Sequence, residues 1–287
     1  MSDSPRAPRS ITVFTHTRPA DTEGALRRVV ELAGEVGAEV HLTSAEVEKF
    51  GPVPGAAEAS EPVEGTDLAL VLGGDGTILT ALREFAGTGV PVFAINYGAI
   101  GFLATVEPWE LEEGFRRALR GEFDVMELPG LVAATAAGER LAVNDVSLHR
   151  RQDGRVAELA YSVEGEQLGE VRCDGLVVAT PAGSTGYNLA NGGPVLAWGV
   201  EGFVVSFIAP HTLTARALVV APGDTLEVTN RSRSEEVDVT TDARQIGALA
   251  PEASMRIQFK QRQALLAQAP GATFYHRLRD KFGRLSY

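Results

Sequence analysis

Cysteine is almost missing from this chain: Cys173 is the only one among 287 residues. A single thiol excludes an internal disulfide framework and a cysteine-based zinc cage, and the reducing cytoplasm is the expected compartment. Long apolar runs are missing too. No stretch approaches the roughly 20 residues that a membrane helix needs, so no membrane partner is expected. The opening residues, MSDSPRAPRS, lack the basic-then-apolar order of a secretory leader. Positive charge is scarce: 26 Lys and Arg stand against 38 Asp and Glu, a formal net charge of −12 at pH 7. A nucleic-acid binder needs a basic face that displaces counterions from phosphates. Here the basic residues are scattered, and the longest grouping is His149-Arg150-Arg151 with Arg155. No nucleic-acid partner is expected, and an anionic substrate must be held by a few placed arginines and backbone N–H groups. Two phosphate fingerprints are also absent. Without G-x-x-x-x-G-K-[ST] the chain is not a P-loop nucleotidase, and without G-x-G-x-x-G after a strand it lacks the usual dinucleotide turn. Internal repeats and heptads are missing as well.

What is present reads as two folded parts of ordinary composition, 44% hydrophobic and 22% charged. In residues 1–122, strand and helix alternate. ITVFTH (11–16), AEVHLT (38–43), LALVL (68–72) and VPVFAI (90–95) read as strands. The near-continuous apolar run of LALVL suits a parallel sheet covered on both faces. Leu26, Val29, Val30 and Ala33 mark one helical face; Ile78, Leu82 and Phe85 mark another. Leu111, Phe115 and Leu119 continue a helix that Pro108 opens and Gly121 ends. Residues 50–65, rich in Pro, Gly, Ala and Glu without periodicity, read as a mobile loop. The expected fold is an α/β domain with an open parallel sheet, Rossmann-like or phosphofructokinase-like.

From 123 to 268 helical periodicity fades, and short β-rich runs such as VAELAYSV, GLVVAT and FVVSFIA follow one another between turn signals. Many short strands with little helix predict a β-rich, sandwich-like second domain. The last stretch, 269–287, regains helical spacing through Phe274, Leu278 and Phe282, and is expected to pack back on the first domain.

Gly73-Gly74-Asp75-Gly76-Thr77 sits between a buried strand and a helix, where open parallel sheets bind ligands. Glycines let backbone N–H groups approach phosphate oxygens, and the helix N-terminus adds partial positive charge. Asp75 is an acid inside that cradle. It would repel a phosphate, which points to a chemical role: taking a proton from an attacking hydroxyl or helping to hold a divalent cation. The alternative, a turn plus helix cap, stays open for this motif alone.

Asn96-Tyr97-Gly98-Ala99-Ile100-Gly101-Phe102-Leu103 follows the next strand, and its two glycines suit close approach or a simple turn. Asn144-Asp145 joins an amide to a carboxylate, a set that matches an adenine edge and ribose hydroxyls, although an isolated pair of this kind is also a turn signal. Thr180 to Pro194 is a second Gly/Ser/Thr-rich stretch, with Tyr187 able to cover a base or nicotinamide ring. His16, His41, His211 and His276 are too dispersed to argue for a metal site.

Taken together, GGDGT (73–77), NYGAIGFL (96–103), ND (144–145), TPAGSTGYNLANGGPV (180–195) and APHTLTARALV (209–219) resemble the NAD kinase family in sequence and order. GGDGT alone is shared in similar form with phosphofructokinases and lipid kinases; the long TPAGSTGY…GGPV segment is more specific. The resemblance implies transfer of the γ-phosphoryl of ATP, or of polyphosphate, to the adenosine-ribose 2′-hydroxyl of NAD. It implies Mg2+ or another divalent cation arriving with the nucleotide, and a homodimer or homotetramer. By resemblance Asp75 is the catalytic base, and Gly73, Gly74, Gly76, Thr77 and Thr80 face the donor phosphates. Asp75, Gly76, Asn144, Asp145, Arg155, Arg172, Asp174, Thr185, Gly186, Tyr187, Asn188, Leu189, Ala190, Ala209 and Gln245 form the NAD set. Thr80 stands where many members carry a basic residue, and Asp242-Ala243-Arg244-Gln245 replaces a tighter Asp-Gly-Gln pattern. The rival readings are a lipid or sugar kinase with the same cradle, or a non-catalytic NAD-binding sensor.

Overall fold

The computed structural model describes residues 6–59, 64–98, 101–104, 106–135, 138–151 and 155–283. In chain order the first elements are β1 (Ser10–Thr15), α1 (Pro19–Val36), β2 (Glu39–Thr43), α2 (Ser44–Phe50) and β3 (Ala56–Ala59). Next come β4 (Leu68–Gly73), α3 (Asp75–Glu84), β5 (Pro91–Asn96) and α4 (Leu111–Arg120). The β-rich part runs β6 (Asp124–Thr135), β7 (Gly138–Ala142), β8 (Asp145–Arg150), β9 (Ala157–Val163), β10 (Glu166–Cys173) and β11 (Gly175–Ala179). After the one-turn helix α5 (Tyr187–Ala190) it continues with β12 (Phe203–Ile208), β13 (Leu218–Val220), β14 (Thr225–Asn230), β15 (Val237–Thr241) and β16 (Arg244–Leu249). The long β17 (Ser254–Gln268) and helix α6 (Phe274–Phe282) close the chain. Two compact units result: Met1–Glu127 with Ala264–Tyr287, and Leu128–Gln263. The chain leaves the first unit within β6 and returns within β17.

The first unit is a parallel sheet in the order β5-β4-β1-β2-β3, with Leu265 to Ala267 of β17 pairing parallel to β5. Every residue of β4 is buried, because strands lie on both sides and helices cover both faces. Leu70 lies opposite Val13 of β1 and Phe93 of β5. Helix α1 opens on Pro19, whose missing N–H costs nothing at a first turn, and ends where Gly37 turns left-handed at φ 72°. Its buried face, Leu26, Val29, Val30 and Ala33, packs into the core shared with Leu70, Phe93 and Phe115.

Three details depart from the sequence reading. Pro108 starts a short 3-10 turn, Pro108–Glu110, and the α-helix begins only at Leu111. Residues 44–50 form α2, too short to carry a periodic signal. The segment read as a mobile loop contains β3, an edge strand parallel to β2. An edge strand is held by backbone pairing on one side, so it needs no apolar alternation. Residues 60–63 of that segment lie outside the described residues.

The second unit is two antiparallel layers. One carries β10-β9-β14 and the first part of β17, with the β6–β7 hairpin; the other has the order β13-β12-β11-β8-β15-β16. Leu148, Leu176 and Phe203 from one layer share a core with Leu159, Val228 and Ile257 from the other. This is the predicted sandwich.

Candidate functional site

The glycine-rich turn closes β4 and starts α3. Asp75 is the first helical residue, and the Thr77 and Ile78 N–H groups already donate to the Gly74 carbonyl at 3.0 and 3.1 Å. Its glycines serve different ends. A Cβ on Gly73 would come within 2.7 Å of the Thr77 side chain, and one on Gly74 within 3.1 Å of the Gly98 Cα. Gly73 lets Thr77 fold close over the turn, and Gly74 lets the turns after β4 and β5 press together, while the Tyr97 N–H donates to the Gly73 carbonyl at 3.1 Å. At Gly76 a Cβ would meet nothing within 4 Å. Packing gives no reason for glycine there, so the open space beside it is where a ligand can approach. Beside this turn a cleft of about 460 Å³ is lined by Asn96, Tyr97, Gly98, Glu107, Trp109 and Lys281, among others.

The Asp75 carboxylate faces the Phe102–Leu103 segment. The Phe102 N–H donates to Oδ2 at 2.9 Å and to Oδ1 at 3.1 Å, and the Leu103 N–H donates to Oδ1 at 3.1 Å. Oδ2 therefore keeps a lone pair for another donor. Burial pushes this carboxyl above the ordinary range, while the two N–H groups and the charges of Lys281 and Arg277 pull it partly back. A capping carboxylate would bond to its own helix; this one bonds across to another loop, which counts against the turn-and-cap reading. Of the NYGAIGFL motif, Ala99 and Ile100 lie outside the described residues.

Thr80 donates to the Gly76 carbonyl at 3.1 Å and accepts from Arg83 Nη2 at 3.2 Å. A guanidinium thus reaches the position where the expected basic residue is missing. The spacing of three residues on a helix carries that signal, and sequence reasoning missed it.

In the second unit, Asn144 precedes β8 and Asp145 opens it. Their backbone is fixed by Asp242, whose carboxylate accepts N–H bonds from Val143 at 3.0 Å, Asn144 at 2.7 Å and Asp145 at 3.1 Å. Burial and the Asp242 charge push the Asp145 carboxyl up to about 7. Asp242 and Ala243 form the two-residue turn between β15 and β16, with φ of 45° and 63°. Thr180 also ties to this strand start: its hydroxyl donates to the Val143 carbonyl at 2.7 Å, and its N–H to the Asn144 carbonyl at 2.9 Å. Gly183 is pressed on the same peptide, since a Cβ there would sit 2.1 Å from the Asn144 carbonyl oxygen. Among the described residues none donates to Asn144 Oδ1.

The Thr180–Pro194 stretch folds on itself. Thr185 donates to the Ala182 carbonyl at 3.2 Å, and the buried Asn188 amide donates to the carbonyls of Ser184 and Pro194 at 3.0 and 2.9 Å. Gly186, Tyr187 and Ala190 stay exposed, with Leu189 partly so. Tyr187 stacks on His149, ring centroids 5.5 Å apart, and the partial burial of its hydroxyl, followed by the charges of Asp145 and Asp174, raises it above the usual value. Burial lowers His149, which shares a hydrogen bond of 2.8 Å with Ser147. His149 belongs to this cluster; a lone histidine in a strand gave no hint of it.

Of the remaining expected ligand residues only Asp174 acts on this cluster, through its charge on Tyr187. Asp174 pairs with Arg150 at 2.5 Å. Arg172 pairs with Glu158 at 3.2 Å on the β9–β10 ladder. Arg155 is exposed before β9, Ala209 is exposed after β12 at φ 44°, and Gln245 is exposed on β16 opposite Thr240. Among the described residues no group of three or more His, Cys, Asp or Glu is arranged to hold a metal ion. No helix among them is long and apolar enough to cross a membrane.

Comparison with known proteins covers most of the chain. Residues 38–123 match the family model for the ATP-NAD kinase N-terminal domain, and residues 143–268 match that for the C-terminal domain. The NAD kinase of Carboxydothermus hydrogenoformans is 36% identical over 230 residues, 78% of this chain and 82% of that protein. That of Syntrophotalea carbinolica is 30% identical over 280 residues, 96% of this chain and 98% of that protein. Among solved structures, an NAD kinase from Archaeoglobus fulgidus in complex with ATP aligns with a TM-score of 0.74 and 27% identity, covering 96% of this chain and 97% of that one. Yeast NADH kinase complexed with NADH shares the fold, with a TM-score of 0.85 at 20% identity over 97% of this chain and 90% of that one.

Proposed function

The chain belongs to the NAD kinase family, enzymes that phosphorylate NAD to NADP, and from that premise we propose that Asp75 takes the proton of the adenosine-ribose 2′-hydroxyl. In the reaction that oxygen bonds to the γ-phosphorus of ATP as the bond to the leaving ADP oxygen breaks. The observation that carries the assignment is the Asp75 carboxylate, half-buried, held by two N–H groups, and with Oδ2 open to one more donor. A carboxyl raised by burial is a stronger base than a solvated one, and orientation by fixed donors keeps it aimed. Gly74 and Gly76 supply the backbone N–H groups for the phosphates at the start of α3, with Thr77 beside them, and Gly76 leaves room for them. Arg83, bonded to Thr80, adds positive charge on the donor side.

In the acceptor half, Asn144 and Asp145 hold NAD, with Asp145 near half-protonation at neutral pH and able to donate as well as accept. Tyr187, backed by His149, offers a ring face to a base or nicotinamide. Asp174, Thr185, Gly186, Leu189 and Ala190 complete that pocket, and Arg155, Arg172, Ala209 and Gln245 contribute from its margins. A divalent cation, Mg2+ by preference, would neutralise charge on the donor phosphates. That cation would arrive with the nucleotide. The cytoplasm and a homodimer or homotetramer complete the reading.

The test is direct. Pure protein with ATP, Mg2+ and NAD is assayed for NADP, beside Asp75→Asn. The variant is expected to bind NAD normally by calorimetry and to lose about 10²- to 10⁴-fold in turnover. Near-normal turnover would sink the role of Asp75.

A further inference from the structure

The base is held by a loop, and the loop is held by the last helix. Arg277 on α6 donates through Nη1 to the Phe102 carbonyl at 2.6 Å and to the Leu103 carbonyl at 2.9 Å. The Phe102 carbonyl and the Leu103 N–H belong to one peptide unit, and that N–H donates to Asp75 Oδ1 at 3.1 Å. One peptide plane thus joins a guanidinium at its carbonyl end to a carboxylate at its N–H end. Hydrogen bonds in series polarise one another, so a cation on the carbonyl makes the N–H a better donor.

Helix α6 makes further contacts on the same side. Phe274 and Phe282 flank the Phe102 ring, with centroids 5.7 and 6.0 Å away. Lys281 pairs with Glu107 at 3.0 Å, and Glu107 accepts from the Asn96 amide at 3.1 Å. The Asn96 Oδ1 in turn accepts from the Gly98 N–H at 3.0 Å, on the turn that packs against Gly74. Both ends of the connection after β5 that face the glycine-rich turn are therefore fastened to α6.

Arg277 is only 6% exposed, and burial lowers it to about 10. A buried cation is costly where an apolar side chain would fill the space. The aromatic cage around Phe102 already anchors the loop, so the charge needs another use. We propose that Arg277 is a positioning residue for phosphoryl transfer, acting on Asp75 through the Phe102–Leu103 peptide. The proposal rests on Asp75 being the base.

The test is a double-mutant cycle of Arg277→Met and Asp75→Asn in the full-length protein, with kcat, KM for NAD and ATP, and thermal unfolding measured for each. Arg277→Met alone is expected to lower kcat about 10- to 100-fold, the cost of a misplaced reacting group, while both KM values stay within about threefold. In the Asp75→Asn background the same change is expected to leave kcat unaltered. Arg277→Lys keeps the charge and is expected to restore part of kcat; it carries the same cycle where Arg277→Met does not fold. Unchanged kcat in folded Arg277 variants, or an equal loss in both backgrounds, overturns the proposal. Near-normal turnover in Asp75→Asn alone overturns the base assignment instead, so the two failures are told apart.

Discussion

Asp145 and Asp242 place two carboxylates at the start of β8, and only one of them is well satisfied. Asp242 accepts three backbone N–H bonds, while Asp145 is buried beside its charge and pushed up to about 7. A carboxyl with a folded pKa above its unfolded one favours folding while protonated. Its contribution is complete below about pH 4 and is lost as pH rises through 7. Asp145→Asn removes the penalty and keeps the shape. The expected outcome is a Tm higher by roughly 2–4 °C or more at pH 8, little change at pH 4, and weaker NAD binding at both. Thermal scans and calorimetry at the two pH values check this; equal Tm shifts at both would contradict the pKa assignment. Asp75 and Asn144-Asp145 were legible in the sequence because an acid among glycines and an amide–acid pair are unusual local chemistry. Arg83, His149 and Arg277 were not, because their partners are Thr80, Tyr187 and the Phe102–Leu103 peptide. Two of those three contacts are distant in sequence.

The glycine-rich turn and the Thr180–Pro194 segment look alike in composition and differ in what their glycines do. Gly183 lies against the Asn144 carbonyl, where no Cβ fits; Gly76 faces open space. Gly183→Ala is therefore expected to cost about 1–3 kcal/mol of stability, as overpacking does, and to displace Asn144 enough to weaken NAD binding. Gly76→Ala is expected to leave the unfolding midpoint unchanged or slightly higher, since alanine favours a helix, while raising KM for ATP. Unfolding curves and initial rates on the two variants separate the roles. A large Tm loss in Gly76→Ala would mean that packing, not a ligand, sets that glycine. At this scale the strands of the first unit were legible because buried parallel strands are nearly all apolar. The short edge strand β3 and helix α2 were not, since backbone pairing and a single turn leave no periodic trace.

At the scale of the whole molecule the charge of −12 opposes every phosphate-bearing substrate that approaches. At low salt that field extends about 30 Å, and at physiological salt about 8 Å. Raising NaCl from about 10 to 150 mM is expected to increase kcat/KM for ATP, because screening removes the repulsion before it weakens the close contacts. A fall across that range would show that arginines near the cradle, such as Arg83, dominate the approaching field.

Composition and local pattern by themselves determined the fold class, the glycine-rich turn at a strand end, the acid within it, and the family to which the order of motifs points. These depend on neighbours in sequence: a buried strand is apolar, a turn needs glycine, and a phosphate cradle needs free N–H groups. What only the tertiary structure decided is how these side chains and their backbone are held. Asp75 is oriented by residues 27 and 28 positions away, and Asn144 is fixed by a carboxylate 98 positions away. The loop over Asp75 is fastened by an arginine 175 positions from its carbonyl partner. Those bonds run between a side chain and a backbone group, and a backbone group is the same in every residue. No residue type at the receiving end can announce them, so they become visible only when the chain has folded.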